Sequence, residues 1–157
     1  MRILNFQKSR IMIHVYDLIP FLGQKKEEHE KIKELISEII NASNSLIRID
    51  EGDIRSLFQE GGEINALDVS VYASEEGRMN MMMEQINNSA KSFEPYNRVL
   101  VYFFFPKNNS LTMAEIGLFS DWIESLPGDI LSKFGLSTHS PQTIRAIVLL
   151  QRNNSAI

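Results

Sequence analysis

The chain has 157 residues, of which 43% are hydrophobic and 23% are charged, a balance typical of a single soluble globular domain with its own core. Its formal net charge of −4 implies no basic surface for nucleic acid. The absence of cysteine excludes disulfides, thiolate nucleophiles and cysteine-ligated zinc sites. The longest apolar run, residues 99–105, is too short to cross a membrane, so we expect a cytoplasmic protein without membrane contact.

The N-terminal segment, residues 1–24, is the hardest part of the chain to assign. Residues 10–16 alternate loosely between apolar and polar side chains, as one strand would, before Pro20 and Gly23 interrupt the pattern. We expect one domain over residues 25–152, preceded by this segment of unknown role and followed by a frayed tail at 153–157.

A long helix, a short helix and a strand are predicted next. Residues 25–31 form a charge run that is typical of a solvated helix start, and apolar residues follow at helical spacing, at Ile32, Leu35, Ile36, Ile39 and Ile40. Residues 54–58 mark the short helix, which ends at Gly61. Strict alternation over residues 67–73 predicts a strand with one buried face.

A third helix is predicted after this strand. Ser74 followed by Glu75 is typical of an N-cap with an acidic residue in the first turn. We expect the side chain of Arg78, four residues after Ser74, to be exposed at the surface. The buried stripe of this helix is predicted to be Met79, Met82, Met83 and Ile86. Met81 lies off that stripe and is predicted to be exposed.

The rest of the chain predicts a central strand, a helix and two further strands. Residues 99–105 are apolar on both faces, which indicates a central strand. Thr112 and Glu115 match the capping box that begins a helix. Strands at residues 130–136 and 144–150 follow, and their short link makes them antiparallel. The predicted fold is α/β, of the α+β two-layer type, with a mixed sheet of about four strands and helices packed on it, preceded by the long helix.

The order of these elements and several short stretches resemble the C-terminal domain of the FtsZ/tubulin family. Residues 46–55, LIRIDEGDIR, are similar to the family's synergy-loop pattern LINVDFADVR, and residues 71–78, VYASEEGR, are similar to its GVASGEDR. Residues 144–149 resemble its final strand. The resemblance covers residues 27–152 and implies the fold of that domain. The glycine-rich phosphate loop of the family's nucleotide domain is missing from this chain.

The resemblance implies that Asp50 and Asp53 act in trans on GTP held by a partner subunit, where they orient and polarise the attacking water. It makes Arg48, Glu51 and Arg55 the accompanying candidate binding residues, although Arg48 replaces the family's asparagine. The residues themselves leave a second interpretation open, in which Asp50 caps the short helix and Asp53 is an acid in its first turn. The two interpretations are compatible, because a helix cap can also face a partner.

The implied function is a non-catalytic interaction or structural module of filament assembly or cell division. It would bind no cofactor and no metal itself, and GTP would belong to an FtsZ/tubulin-like partner, with self-association as the other form of contact. The alternative is a small-molecule-binding or enzymatic α/β domain unrelated to filaments, with an acid pair drawn from Asp50, Asp53, Glu75 and Glu76. No nucleophile, histidine or metal set has the spacing to support that alternative. A third hypothesis is dimerisation through the methionine-bearing helix.

Overall fold

The computed structural model describes residues 26–58 and 63–152, and within these ranges four helices alternate with five strands. They are α1 (Lys26–Ile40), β1 (Ser45–Ile47), α2 (Glu51–Phe58), β2 (Glu63–Tyr72), α3 (Arg78–Ala90), β3 (Arg98–Pro106), α4 (Met113–Ser125), β4 (Leu131–His139) and β5 (Thr143–Arg152). The candidate strand at residues 10–16, the helix end at Gly61 and the tail at 153–157 lie outside the described residues. None of the described helices is long and apolar enough to span a membrane.

The five strands form one mixed sheet in the order β1-β4-β3-β5-β2. β3 pairs in parallel with β4 and antiparallel with β5, so the predicted central strand is confirmed. β5 also pairs antiparallel with β2, from Glu63 opposite Arg152 to Tyr72 opposite Thr143. The predicted mixed sheet with packed helices is confirmed, but it has five strands rather than about four, because Ser45–Ile47 pairs with the outer edge of β4.

Two features of the sheet differ from the prediction for physical reasons. β1 has three residues, too few to show an alternating pattern, and its middle residue Leu46 is 64% exposed. β4 and β5 do run antiparallel, but they are not neighbours, since β3 lies between them. A strand that is apolar on both faces occupies the centre of a sheet. β3 is that strand, and it pairs with β4 on one side and with β5 on the other.

Helices cover both faces of the sheet, which adds a layer to the predicted two. α3 and α4 pack on one face, against a cluster that includes Val101 and Phe103 of β3. α1 and α2 pack on the other face, against a cluster that includes Leu100 and Tyr102. Successive side chains of a strand point to opposite faces, so the apolar run of β3 contributes to both cores.

The start of α3 corrects two predictions. The helix begins at Arg78 behind Gly77, whose φ of 67° lies in the left-handed region, so Ser74 is not its N-cap. Arg78 is buried, at 6% exposure, rather than at the surface. Burial is possible because its guanidinium donates five hydrogen bonds, two to the Glu115 carboxylate and one each to the carbonyl oxygens of Ala73, Asn109 and Ser110.

Other local predictions are confirmed. The four stripe residues of α3 are buried and Met81 is 37% exposed. α4 begins with the predicted capping box, in which the Thr112 hydroxyl accepts from the Glu115 N–H and the Glu115 carboxylate accepts from the Thr112 N–H.

Candidate functional site

The acidic loop, residues 48–53, leads from β1 into the first turn of α2. The Asp50 carboxylate accepts a hydrogen bond from the backbone N–H of Asp53 at 3.0 Å, and the Asp53 carboxylate accepts one from the backbone N–H of Asp50 at 3.0 Å. These two bonds form a capping box in which aspartate takes the place of glutamate at the third helical position. The cap geometry inferred from the sequence is therefore present, and it holds the two carboxylates in a defined orientation.

Ile49 anchors the acidic loop to the sheet. It is buried, at 3% exposure, between the exposed residues Arg48 and Asp50. Its side chain lies over Gly135 of β4, where an added Cβ would stand 2.6 Å from Ile49 Cγ1 and from the Tyr102 ring. The close approach of loop, strand and ring needs a residue without a side chain at position 135. The loop therefore presents polar side chains from a rigid base.

A cation from β4 joins the acidic pair. Lys133 Nζ donates to Asp53 Oδ1 at 2.5 Å, with 52% of the lysine side chain and 23% of the aspartate side chain exposed. Burial alone would raise the pKa of the Asp53 carboxyl. The hydrogen bonds from Lys133 and from the Asp50 backbone, together with the lysine charge, outweigh burial and hold that pKa below its ordinary value. Asp53 is therefore ionised at neutral pH.

The candidate binding residues flank this pair in the sequence. Arg48 and Arg55 are exposed, and Glu51 is partly exposed in the first turn of α2. The sequence alone identifies these residues as neighbours of the acidic pair, but it gives no indication that Lys133 belongs to the site. Lys133 is 80 residues from Asp53 along the chain, and no sequence spacing links a helix cap to a particular position of a distant strand. Only the register of β4 beside the loop makes the contact.

A cleft of about 250 Å³ opens beside Asp53, between α2 and the starts of β3 and β4. Its apolar lining includes Leu57 and Leu131, and its charged lining consists of Asp53, Arg98 and Lys133. The Arg98 guanidinium also donates to the Ser56 carbonyl oxygen of α2. Two cations and one anion thus border a small, mainly apolar space.

Apolar side chains are exposed along the same sheet edge. We call Leu46, Ile47, Leu131 and Phe134 the apolar edge patch; they are 64%, 39%, 63% and 37% exposed. The pairing of β1 with β4 begins at Leu136, so no described strand pairs with the outer edge of β4 at residues 131–134. Within the described ranges, no three histidine, aspartate or glutamate side chains stand close enough to hold a metal ion.

Comparison with known proteins identifies the fold. No protein-family model matches the chain, and no curated protein sequence does. Among solved structures, a mutant FtsZ from M. jannaschii matches with a TM-score of 0.60 and 17% identity, over 85% of this chain and 43% of FtsZ. TubZ from Bacillus thuringiensis serovar israelensis, solved as GDP-form protofilaments, matches with a TM-score of 0.61 and 12% identity, over 79% of this chain and 36% of TubZ.

The chain has the fold of the FtsZ/tubulin C-terminal domain. CetZ2 from Haloferax volcanii, solved as a GTPγS-bound protofilament, matches as well, with a TM-score of 0.59 and 15% identity, over 85% of this chain and 43% of CetZ2. The chain thus spans between 36% and 43% of the length of these three proteins. At these identities the FtsZ-type likeness concerns the fold, and the roles of the acidic loop are proposals.

Proposed function

We propose that the chain is an FtsZ/tubulin-type assembly module that docks on a partner subunit and brings its acidic loop to the partner's GTP. One observation carries the proposal: the mutually bonded Asp50 and Asp53 stand on a surface loop of a fold shared with proteins solved as nucleotide-bound protofilaments. The partner is an FtsZ/tubulin-like protein that binds the nucleotide itself. Self-association of the chain is the other form that a filament contact could take.

Asp50 is the better placed of the two acids to orient a water molecule. It is exposed, and its Oδ1 takes the capping hydrogen bond, which leaves Oδ2 for water at the partner's phosphate. The cap fixes the carboxylate before docking, so no ordering is needed at the moment of reaction. Asp53 has a lowered pKa and is therefore a weak base. We assign it an electrostatic role, in which it holds Lys133 and shapes the charge around the water.

The surroundings of the acidic loop are suited to docking. Of the apolar edge patch, Leu131 is 63% exposed and lies on the face of β4 that turns to the loop, because Lys133, two positions further on, reaches Asp53. Phe134 lies on the opposite face, against Phe119 of α4. Exposed apolar side chains of this kind favour protein contact over solvent. The exposed cations Arg48 and Arg55 flank the acids in the sequence and would offset the negative charge of a triphosphate. The apolar edge patch would thus contact the partner subunit, and the acidic loop would act on the partner's GTP.

The test is GTP turnover by an FtsZ-type partner in the presence of the chain. Purified M. jannaschii FtsZ or TubZ is mixed with increasing amounts of the 157-residue chain, and phosphate release and sedimented protein are measured. We expect the chain to change both quantities. Asp50→Asn should reduce its effect on turnover by about tenfold or more, because a positioned carboxylate contributes at least that much to water attack.

Glu84→Gln is the matched control, since it removes one exposed carboxylate from α3, on the face of the sheet opposite to α2. It should behave like the unmodified chain. The proposal fails if the chain, at concentrations well above the partner's assembly threshold, changes neither turnover nor sedimentation. It also fails if Asp50→Asn and Glu84→Gln act alike.

A second candidate function rests on the 250 Å³ cleft, where Arg98 and Lys133 border an apolar lining. Such a space could take a small anionic ligand with an apolar part. A thermal-shift screen of nucleotides and carboxylic acids distinguishes the two functions. Stabilisation that rises with ligand concentration and disappears in Lys133→Gln would favour ligand binding over docking.

A further inference from the structure

A pocket of about 410 Å³ lies between α1, β2 and the end of α3, and the proposed docking function does not use it. We call it the lysine pocket. Its apolar lining consists of Ile32, Ala66, Leu67, Ala90 and Leu150, and its polar lining consists of Lys31, Asn65, Ser89, Lys91 and Tyr96. Small-molecule sites commonly have volumes of about 300–1,000 Å³. β2 is at one end of the sheet and β1 at the other, so the lysine pocket is remote from the acidic loop that follows β1.

Both charged side chains of the lysine pocket are cationic. Lys31 and Lys91 are exposed, and neither forms an ion pair within residues 26–58 and 63–152. No aspartate or glutamate belongs to the described lining, although the chain has 20 acidic and 16 basic residues. Two positive charges without a counter-charge favour a ligand that carries negative charge.

The acidic residues of β2 do not supply the missing negative charge. The Glu63 carboxylate pairs with Arg152 at 2.5 Å. The Asp68 carboxylate accepts two hydrogen bonds from Arg145, at 2.8 and 2.9 Å. Each carboxylate is thus held by an arginine that does not line the pocket.

Neutral donors complete the polar lining. The Tyr96 hydroxyl accepts a hydrogen bond from the Asn65 side-chain amide at 3.0 Å. A hydroxyl that accepts in this way keeps its own proton for another acceptor. The same bond fixes the loop after α3 against β2, which holds the hydroxyl at the pocket. Ser89 contributes a second hydroxyl from the last turn of α3.

Lys91 has a strained backbone. Among the described residues other than glycine it alone has a positive φ, of 65°, with a ψ of −55°. The Ser92 N–H donates to the Ala90 carbonyl oxygen across it at 2.7 Å, which makes a γ-turn of the rare, strained form. Glycine would adopt this backbone without steric cost. Strained residues concentrate at ligand sites, so a lysine at this position points to a use for its side chain.

We propose that the lysine pocket binds a small organic anion, a phosphate monoester or a carboxylate, whose charged group lies between Lys31 and Lys91. Ammonium groups bind such anions through charge-assisted hydrogen bonds, and the Tyr96 hydroxyl donates to the same group. The apolar part of the ligand lies against Leu67 and Leu150. The ligand thus joins α1 to the end of α3, two elements that pack on opposite faces of the sheet.

A titration of the full chain with phenyl phosphate, followed by NMR of the backbone amides, tests the proposal. We expect shifts at the amides of Asn65, Ala90 and Tyr96, with a Kd of about 1 mM or tighter for a ligand of this size. Phenylacetate presents a carboxylate beside the same ring, and benzyl alcohol presents the ring without a charge. Benzyl alcohol should bind at least about tenfold more weakly than the tighter of the two anions.

Substitutions of single lysines locate the charged group. Lys31→Gln and Lys91→Gln should each weaken the binding of phenyl phosphate at least about threefold. Lys107→Gln is the matched control, because it removes an exposed lysine that does not line the pocket, and it should leave the Kd unchanged.

Lys91→Gly separates ligand binding from a structural role of Lys91. Glycine relieves the strain of the positive φ, so Tm should rise by about 2–4 °C. Loss of the ammonium group should at the same time weaken the binding of phenyl phosphate at least about threefold. Lys91→Gln removes the charge and keeps the strain, so it should weaken binding without the rise in Tm. A lysine that only ended the helix would not give these opposite changes.

Four outcomes would overturn the proposal. One is the absence of shifts at the lining amides with up to about 10 mM of either anion. Another is binding of benzyl alcohol as tight as that of the anions, because the apolar lining alone would then be the site. The third is equal Kd values for Lys91→Gly and Lys107→Gln. The last is a set of shifts confined to Leu57 and Leu131, which would place the ligand in the cleft beside Asp53. The titration involves neither GTP nor a partner, so its result is separate from that of the proposed docking function.

Discussion

Replacing Arg78 by methionine tests the account of the buried ion pair between α3 and α4. The side chains of Arg78 and Glu115 are only 7% and 13% exposed, and two bonds of 2.6 and 2.8 Å join them. Arg78 also donates to three backbone carbonyl oxygens at 2.9 to 3.2 Å, and its guanidinium lies 5.3 Å from the centre of the Phe105 ring. One side chain therefore holds the start of α3, the loop before α4 and the α4 capping box together.

Methionine roughly replaces the volume of Arg78 but none of its donors. The Glu115 carboxylate keeps only its bond from the Thr112 N–H, at 2.9 Å. The carbonyl oxygens of Asn109 and Ser110 lose the guanidinium donor, while that of Ala73 keeps its bond from the Asn109 side-chain amide at 3.1 Å. Removing one member of a buried pair costs about 3–5 kcal/mol, because the remaining charge stays desolvated. For a domain with a total stability of about 5–15 kcal/mol, this is a large fraction.

Urea denaturation at pH 7, followed by linear extrapolation, measures the loss. Arg152→Met is the matched control, because Arg152 pairs with Glu63 at 2.5 Å but is 44% exposed, and such surface pairs contribute less than about 1 kcal/mol. Arg78→Lys keeps the charge without the planar fork and should fall between the two, which provides a measurement if Arg78→Met does not fold. Losses for Arg78→Met and Arg152→Met that agree within about 1 kcal/mol would refute the reasoning.

Three further predictions concern the Glu115 carboxyl, two glycines of β4 and α4, and the ion pair between Lys133 and Asp53. The hydrogen bonds from the buried Arg78 guanidinium hold the pKa of Glu115 below its ordinary value of 4.5. The stability that the ion pair contributes is therefore complete above pH 4.5 and is lost as the pH falls through the lowered pKa. Acid titration followed by circular dichroism should show a smaller loss of stability with falling pH in Arg78→Met than in the unmodified chain. Gly135→Ala should destabilise the fold by about 1–3 kcal/mol through overpacking. Gly117→Ala should stabilise it by about 0.5–1 kcal/mol, because Gly117 is in a helix and no atom lies within 4 Å of the added Cβ. Thermal melts of both variants check this contrast. Lys133→Gln should raise the pKa of Asp53 towards its ordinary value in a carboxyl NMR titration, with a stability change below about 1 kcal/mol because the pair is half exposed; an unchanged Asp53 pKa would show that the capping bonds alone lower it.

Much of the fold could be predicted because the relevant interactions are local. The capping box of Thr112 and Glu115 joins residues three apart, and the methionine stripe of α3 repeats at helical spacing. The apolar run at residues 99–105 identified the central strand, since only a strand covered on both faces tolerates such a run. The acidic pair of the candidate site was visible for the same reason, because Asp50 and Asp53 cap one turn of helix.

The features that the sequence missed join residues far apart in the chain. Arg78 meets Glu115 across 37 residues, and Asp53 meets Lys133 across 80. Neither contact changes the local pattern around its members, so a buried arginine looks like any charged residue at a helix start. The insertion of β3 between β4 and β5 has the same origin.

The sequence by itself determined where the helices and most strands lie, which faces they bury and which acids stand at the start of α2. Those properties depend on side chains within about one helical turn or two strand positions of each other. Only the tertiary structure decided the order of the strands, the burial of Arg78 and the attachment of Lys133 to the acidic loop. These depend on the register of whole elements against one another, which is set by the packing of both cores together.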